Sequence, residues 1–380
     1  MNPRSALLWR LPGLALWRRV GLALWLVAVG CRSAAPVPLL GYSPLVAGTA
    51  RLLPACPVLG TENADLGSPW MAVYEYPRSD PAGVVLLVHG LGTNAHLWDL
   101  PGFGGLAPRL WQEGYAVFSV DHSSASRRGC PSSRAVANQG EGLESLAAHL
   151  GSLLIELGRR FPGRALFAIG HDVGGTALYL AAGAKEVPIQ GVVGIAAPLS
   201  TVQGTRAQAA VLEQARRYQD AGVDWEYLGH LQPEGFPAHG DLERALLFRS
   251  LPPARKAAFY RFATAPLPDA LLSSLNESGP SPLPTRALLD GLSARPELAV
   301  LVLLSPSDGL CPPWQADPAT LGLRRTNIQR LYFTRANGHE REYSHFDLLL
   351  HPAAAGDVFP AVLSFLAAAR RSPRQNLDKH

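Results

Sequence analysis

Short apolar runs and longer amphipathic stretches alternate along most of this 380-residue chain. Val84-Val85-Leu86-Leu87-Val88 is a continuous apolar run, the pattern of a parallel strand covered on both faces. Met71 to Tyr76, Tyr115 to Val120, Ala165 to Ile169, Val192 to Ile195, Leu298 to Leu304 and Ile328 to Thr334 read as further strands. Between them, Leu106 to Glu113 reads as a helix stopped at Gly114, a residue free to adopt a left-handed cap. Leu143, Leu146, Leu150, Leu154 and Leu157 keep a helical period. Val358, Val362, Phe365 and Leu366 mark one face of a last helix from about Asp357 to Ala369. This alternation predicts an α/β fold, a mostly parallel central sheet with helices on both faces.

One stretch breaks the rhythm. Residues 198–296 carry helical pieces and no clear strand. Ligands of open α/β sheets bind beyond the carboxyl ends of the strands, so an insertion after a central strand sits over the site. It reads as a helical cap. The core is then expected over 61–197 and 297–371, with a solvated tail at 372–380. Residues 31–60, rich in Pro, Ala and Gly, read as a tether.

A composition of 47% hydrophobic and 17% charged residues suits a full core. The formal charge of +4 comes entirely from Arg4, Arg10, Arg18 and Arg19, because residues 1–30 hold no acid. The rest of the chain is formally neutral, which argues against nucleic acid as a partner. Residues 1–30 read as a secretory signal peptide: basic residues, then an apolar core from Val20 to Gly30, shorter than the span of about 20 residues that crosses a bilayer. That core ends Val27-Ala28-Val29-Gly30-Cys31, which resembles a bacterial lipobox. The resemblance implies a lipidated Cys31 and a lipid anchor on a membrane of the bacterial cell envelope. A plain signal peptide with a periplasmic or secreted product, or an N-terminal anchor helix, is the other reading. Cys56, Cys130 and Cys311 lack metal-site spacing; export would permit one disulfide, with Cys56–Cys130 the first pairing to consider, against three buried thiols. No HExxH or paired carboxylate–histidine spacing occurs, so neither a metal nor a cofactor is expected.

The candidate chemistry centres on Gly170-His171-Asp172-Val173-Gly174-Gly175, between an apolar run and the helix-like Thr176 to Leu180. Gly170 and Gly174 flank residue 172 and permit a sharp strand-to-helix turn that lifts one side chain to a helix N-terminus. The motif resembles the nucleophile elbow of the α/β-hydrolase fold family, completed by Gly175. Three more pieces follow strands in that family's order. His89-Gly90-Leu91-Gly92 resembles its oxyanion loop, which implies Leu91 N–H and Val173 N–H as oxyanion donors. Asp308, in Ser305-Pro306-Ser307-Asp308-Gly309-Leu310-Cys311-Pro312-Pro313, matches the triad acid. His345, in Tyr343-Ser344-His345-Phe346-Asp347, matches the catalytic histidine in preference to His339 and His351. The flanks, His89 to Trp98 and His345 to Phe365, look similar to lipase- and esterase-like members.

The family most often lifts a serine; here the residue is Asp172. A carboxylate attacking an acyl carbon would form a high-energy anhydride, but it is suited to displacement at a saturated carbon bearing a halide or an epoxide oxygen. The resemblance to haloalkane dehalogenases and epoxide hydrolases is incomplete. Val173 stands where the former usually carry Trp, and Gly92 where the latter carry Pro. Tyr218, Tyr227 and Tyr260 are the cap tyrosines available to protonate an epoxide, and Arg127-Arg128 is either an anion contact or a solvated turn. The expected function is an exported hydrolase with an Asp172-His345-Asp308 triad acting on an apolar epoxide- or haloalkane-like small molecule. The alternative is a silenced esterase-like lipoprotein that binds an apolar ligand.

Overall fold

The computed structural model describes residues 51–53, 71–122, 142–201, 205, 206, 208, 209, 213, 251–264, 283–323 and 327–371. The elements in chain order are β1 (Arg51–Leu53), β2 (Ala72–Tyr76), β3 (Val84–Val88), α1 (Leu106–Gln112), β4 (Ala116–Asp121), α2 (Leu143–Arg160), β5 (Leu166–His171) and α3 (Asp172–Gly183). There follow β6 (Gly191–Ile195), α4 (Pro253–Ala258), α5 (Thr285–Ser293), β7 (Ala299–Leu304), α6 (Pro313–Ala316), β8 (Ile328–Tyr332), α7 (Asp347–Leu350) and α8 (Ala354–Arg371). A turn of π-helix, Phe259–Ala263, continues α4.

The described strands form one eight-stranded sheet in the order β1-β2-β4-β3-β5-β6-β7-β8. From β4 to β8 every neighbour is parallel; β1 and β2 are antiparallel additions at one edge. The apolar run of β3 is sealed, with no residue more than 1% exposed. Each such side chain contributes roughly 1.5–3 kcal/mol on burial. Two positions on β6 show that both faces are covered. Residues 191 and 194 are an odd number apart and so face opposite sides of the sheet. A Cβ at Gly191 would meet the Phe365 ring of α8 at 3.2 Å, and one at Gly194 would overlap the Tyr179 hydroxyl of α3. Helices therefore flank the sheet as the alternation predicted. Gly114 ends α1 at φ +96°, as its place in the sequence suggested.

Two boundaries differ from the sequence expectation. Arg51–Leu53, inside the stretch read as a tether, pairs with Val73–Glu75 as an edge strand. Three residues between Pro- and Gly-rich neighbours carry too little periodicity to be recognised. Helix α5 lies inside the 198–296 stretch read as cap, yet it packs on α3. A Cβ at Gly183 would come within 3.0 Å of the Gly291 Cα, so the two helices touch backbone to backbone. The buried Arg295 that follows α5 donates to the Ala182 carbonyl at 3.0 Å, satisfying the C-terminal end of α3. The signal peptide, Cys31, Cys56, Cys130, Arg127-Arg128, Tyr218, Tyr227 and the 372–380 tail lie outside the described residues.

Candidate active site

The strand β5 ends at His171 and α3 begins at Asp172, with no residue between them. That junction forces Asp172 to φ +50°. A residue with a Cβ pays roughly 1–2 kcal/mol there, less when its side chain can bond locally. Small neighbours make the turn possible. A Cβ on Gly170 would stand 2.4 Å from the Gly175 Cα, and one on Gly174 would stand 2.2 Å from the His89 carbonyl oxygen. The elbow helix is thus pressed against both its own strand and the loop after β3. Asp172 keeps 15% of its side chain exposed. His345 and Asp308 keep 2% and 0%, so Asp172 is the most exposed of the three.

The three candidate residues converge from separate strand ends. His345 Nδ1 lies 2.8 Å from Asp308 Oδ2. Its Nε2 lies 4.0 Å from Asp172 Oδ1. The other Asp308 oxygen accepts the Leu310 and Cys311 N–H groups at 2.8 and 2.9 Å, which fixes the carboxylate plane. Ser305 Oγ donates to the Tyr343 carbonyl and ties the acid loop to the histidine loop. The histidines set aside in the sequence stand elsewhere: His339 Nδ1 is 3.7 Å from Asp357, and His351 contacts Arg341.

Leu91 N–H donates to Asp172 Oδ2 at 3.0 Å, and Val173 N–H also favours the ionised carboxylate. The two expected oxyanion donors therefore face the elbow residue. Gly90 is needed at its place: a Cβ there would lie 2.7 Å from the Asp172 Cβ and 2.9 Å from His171 Nδ1. Gly92 turns the loop at φ +68°. His89 belongs to this loop, but its side chain leaves the site. It is buried and stacked on His122 with ring centroids 3.9 Å apart.

Burial drives the electrostatics. It raises the Asp172 carboxyl above its usual range, against the pull of His345 and of the Leu91 and Val173 N–H groups. Burial also opposes the His345 imidazolium, but the charge and hydrogen bond of Asp308, with the charge of Asp172, outweigh it and hold that pKa above the usual imidazole value. His171 is pushed well below that value by burial and then by His345. Its ring centroid is 4.4 Å from that of His345, and its Nε2 is 3.3 Å from the His345 carbonyl. Cys311 is a free, buried thiol whose pKa burial raises. Among the described residues no group of three or more His, Cys, Asp or Glu stands close enough together to hold a metal ion, and no helix is long and apolar enough to cross a membrane.

Sequence reasoning missed four contributors. His171 sits inside the elbow motif, yet nothing in its type announced contact with the histidine loop. His122 directly follows β4, the neighbour of β3, and that place after a strand end was the one available cue. Thr93 and Asn94 follow the expected loop. The Asn94 amide donates to the Phe262 and Thr264 carbonyls at 2.9 and 3.0 Å, latching the π-helical turn Phe259–Ala263 to the loop after β3. Tyr260, one of the three tyrosines considered for an epoxide, is buried within that turn.

The sequence pattern of the alpha/beta hydrolase fold family matches residues 83–273. The chain belongs to that family. No curated protein matches it in sequence. Among solved alpha/beta hydrolases, the monoacylglycerol lipase of Paleococcus ferrophilus is similar at TM-score 0.50 and 17% identity, over 78% of this chain and 99% of that one. The carboxylesterase CesB (YbfK) of Bacillus subtilis is similar at TM-score 0.51 and 14% identity, over 86% and 93%. A carboxylesterase structure from Nitrososphaera gargenis gives TM-score 0.52 and 15% identity, over 78% and 96%. At these identities the likeness is one of fold. Family and neighbours together make the chain a hydrolase of the alpha/beta fold, with its reaction set by the residues at the elbow.

Proposed function

We propose that the chain hydrolyses a small apolar epoxide or haloalkane through a covalent ester on Asp172. The observation that carries this reading is a partly exposed carboxylate at a left-handed elbow, with one oxygen on the Leu91 N–H and the other facing His345. The two oxygens then have different tasks. Asp172 Oδ1 attacks the saturated carbon; a carbon–oxygen bond forms, and the carbon–halogen bond or one epoxide carbon–oxygen bond breaks. The halide leaves, or the epoxide oxygen takes up a proton from solvent. His345 next removes a proton from water, and the hydroxide adds to the Asp172 carboxyl carbon. Oδ2 becomes the oxyanion, held by Leu91 and Val173 N–H. Collapse releases the alcohol on Oδ1, protonated by His345, and leaves a water oxygen in Asp172. Asp308 keeps the His345 tautomer and supports its charge.

Turnover in heavy-oxygen water is the test. Intact and peptide mass should show one heavy oxygen entering Asp172 for an epoxide or haloalkane that is consumed. If neither class is consumed and no adduct forms on Asp172, the reading fails.

One observation favours a second reading. The Asp172 carboxylate itself fills the Leu91 N–H, as a silenced esterase would have it, and the similar structures are lipases and carboxylesterases. In that case Asp172→Ser would gain hydrolysis of a p-nitrophenyl ester while the natural protein stays inert toward every class.

The Val27 to Cys31 pattern supports export and lipid anchoring of this hydrolase at Cys31. The mass of the mature N-terminus, with and without Cys31→Ala, tests it.

A further inference from the structure

Gly90 and Leu91 share one peptide group, and its orientation decides whether the Leu91 N–H reaches Asp172. A trans peptide directs its C=O and N–H to opposite sides, so whatever holds the Gly90 carbonyl also aims the Leu91 N–H. Two side chains hold it. Thr93 Oγ1 donates to the Gly90 carbonyl at 2.9 Å, and His89 Nδ1 donates to the same oxygen at 2.8 Å. The preceding carbonyl is held as well: His122 Nε2 donates to the His89 oxygen at 2.9 Å, and the elbow helix presses on that oxygen at Gly174.

The tautomers fit this arrangement. The His122 backbone N–H donates to His89 Nε2 at 3.2 Å, which leaves the His89 proton on Nδ1, where the Gly90 carbonyl needs it. Asp121 Oδ1 stands 3.4 Å from the same Nε2, outside the usual range of about 2.7–3.2 Å for an N–H···O bond, so the shorter His122 N–H contact sets the tautomer. His122 Nδ1 is buried with no hydrogen-bond partner among the described residues, so the ring is built to be neutral and to donate from Nε2 alone. Burial, then the neighbouring His89, lowers its pKa to about 3.

We infer that Thr93 and the stacked His89–His122 pair are positioning residues that aim the Leu91 N–H at the reacting carboxyl. The polar contacts of the three run to the loop backbone and to one another, and not to Asp172. Their effect belongs to the step in which charge develops on Asp172 Oδ2, so this inference rests on the proposed reaction for its kinetic consequence but not for its geometry.

The deciding measurement is amide hydrogen exchange on protein labelled with nitrogen-15 leucine. Thr93→Val removes one donor without changing shape, and Leu91 exchange should accelerate about tenfold while Leu86 and Leu87 of β3 stay within about twofold. Thr93→Ser should exchange as the natural protein does, and His122→Phe should reproduce Thr93→Val. Unchanged Leu91 exchange in Thr93→Val overturns the inference. So does equal acceleration at Leu86 and Leu87, which would mean general loosening. Where an epoxide or haloalkane is turned over, Thr93→Val should slow ester hydrolysis about tenfold and alkylation less than about twofold. If the natural protein turns over neither class, the proposed function falls while the exchange result still decides the positioning role.

Discussion

His345 Nε2 stands 4.0 Å from Asp172 Oδ1, beyond direct hydrogen-bond reach. A water about 2.8 Å from each fits that separation. In the proposed reaction the imidazole thus deprotonates water and does not activate the aspartate, which is already a carboxylate.

A first prediction follows from that division of labour. His345→Gln should leave alkylation of Asp172 intact and stop hydrolysis of the ester. Intact mass should rise by the whole mass of an epoxide, or by the mass of a haloalkane less the hydrogen halide it loses, and stay there, with turnover reduced about 1,000-fold or more. A variant that neither turns over nor gains mass on a substrate the natural protein consumes would show that His345 acts before the ester forms.

The pH dependence has a definite sign. Hydrolysis needs neutral His345, so its rate falls as pH drops through the imidazole pKa. In the free protein that pKa is held above the usual value by Asp308 and, in part, by the Asp172 charge, against burial. Alkylation turns Asp172 into a neutral ester and removes its share. The acid limb of single-turnover ester hydrolysis should therefore lie at a lower pH than the His345 imidazole titration of the free protein, followed by NMR. Alkylation instead requires an ionised Asp172, whose pKa burial raises, and its rate falls as pH drops through that carboxyl pKa. An ester-hydrolysis limb at or above the free imidazole titration would contradict the assigned roles.

Much of this arrangement was legible before the structure. The strands from β2 to β8 fell within a residue or two of their expected runs; for β3 to β7 the reason is that buried parallel strands leave an uninterrupted apolar signal. Asp172, Asp308 and His345 were picked out by resemblance to the family's motifs in their order after those strands, and the sheet brings them together because parallel strands deliver all their ends to one edge. What was not legible depends on contacts between distant segments. Nothing in Asp121-His122 announces a ring stacked on His89, and nothing in Asn94 announces Phe262 and Thr264. The glycine pair Gly183 and Gly291 reads as two weak helix positions until the helices cross at them.

Gly90→Ala tests the closeness of the loop to the elbow. Its Cβ would lie 2.7 Å from the Asp172 Cβ and 3.0 Å from Oδ2, a position no real Cβ occupies. The loop must retreat, carrying the Leu91 N–H with it. Turnover should fall about 100-fold, the scale of a misplacement near 1 Å. The far-ultraviolet circular dichroism should be unchanged, since the sheet beneath is not disturbed. Activity within about twofold of the natural protein would mean that the loop tolerates displacement.

The elbow should also store strain that function requires. Asp172 has φ +50°, which glycine adopts freely and alanine does not. Asp172→Gly and Asp172→Ala both remove the carboxylate and its bond to Leu91, so those losses cancel in the comparison. The glycine variant should then be more stable than the alanine variant by about 1–2 kcal/mol, the cost of left-handed backbone for a residue with a Cβ. Part of the difference is offset because glycine also gains entropy in the unfolded chain. Both variants should be inactive. Urea unfolding at neutral pH gives the comparison. An alanine variant at least as stable as the glycine one would show that the turn relaxes once the carboxylate is gone, and hence that the aspartate's contacts, rather than the close helix–strand packing at Gly170 and Gly175, impose the left-handed conformation.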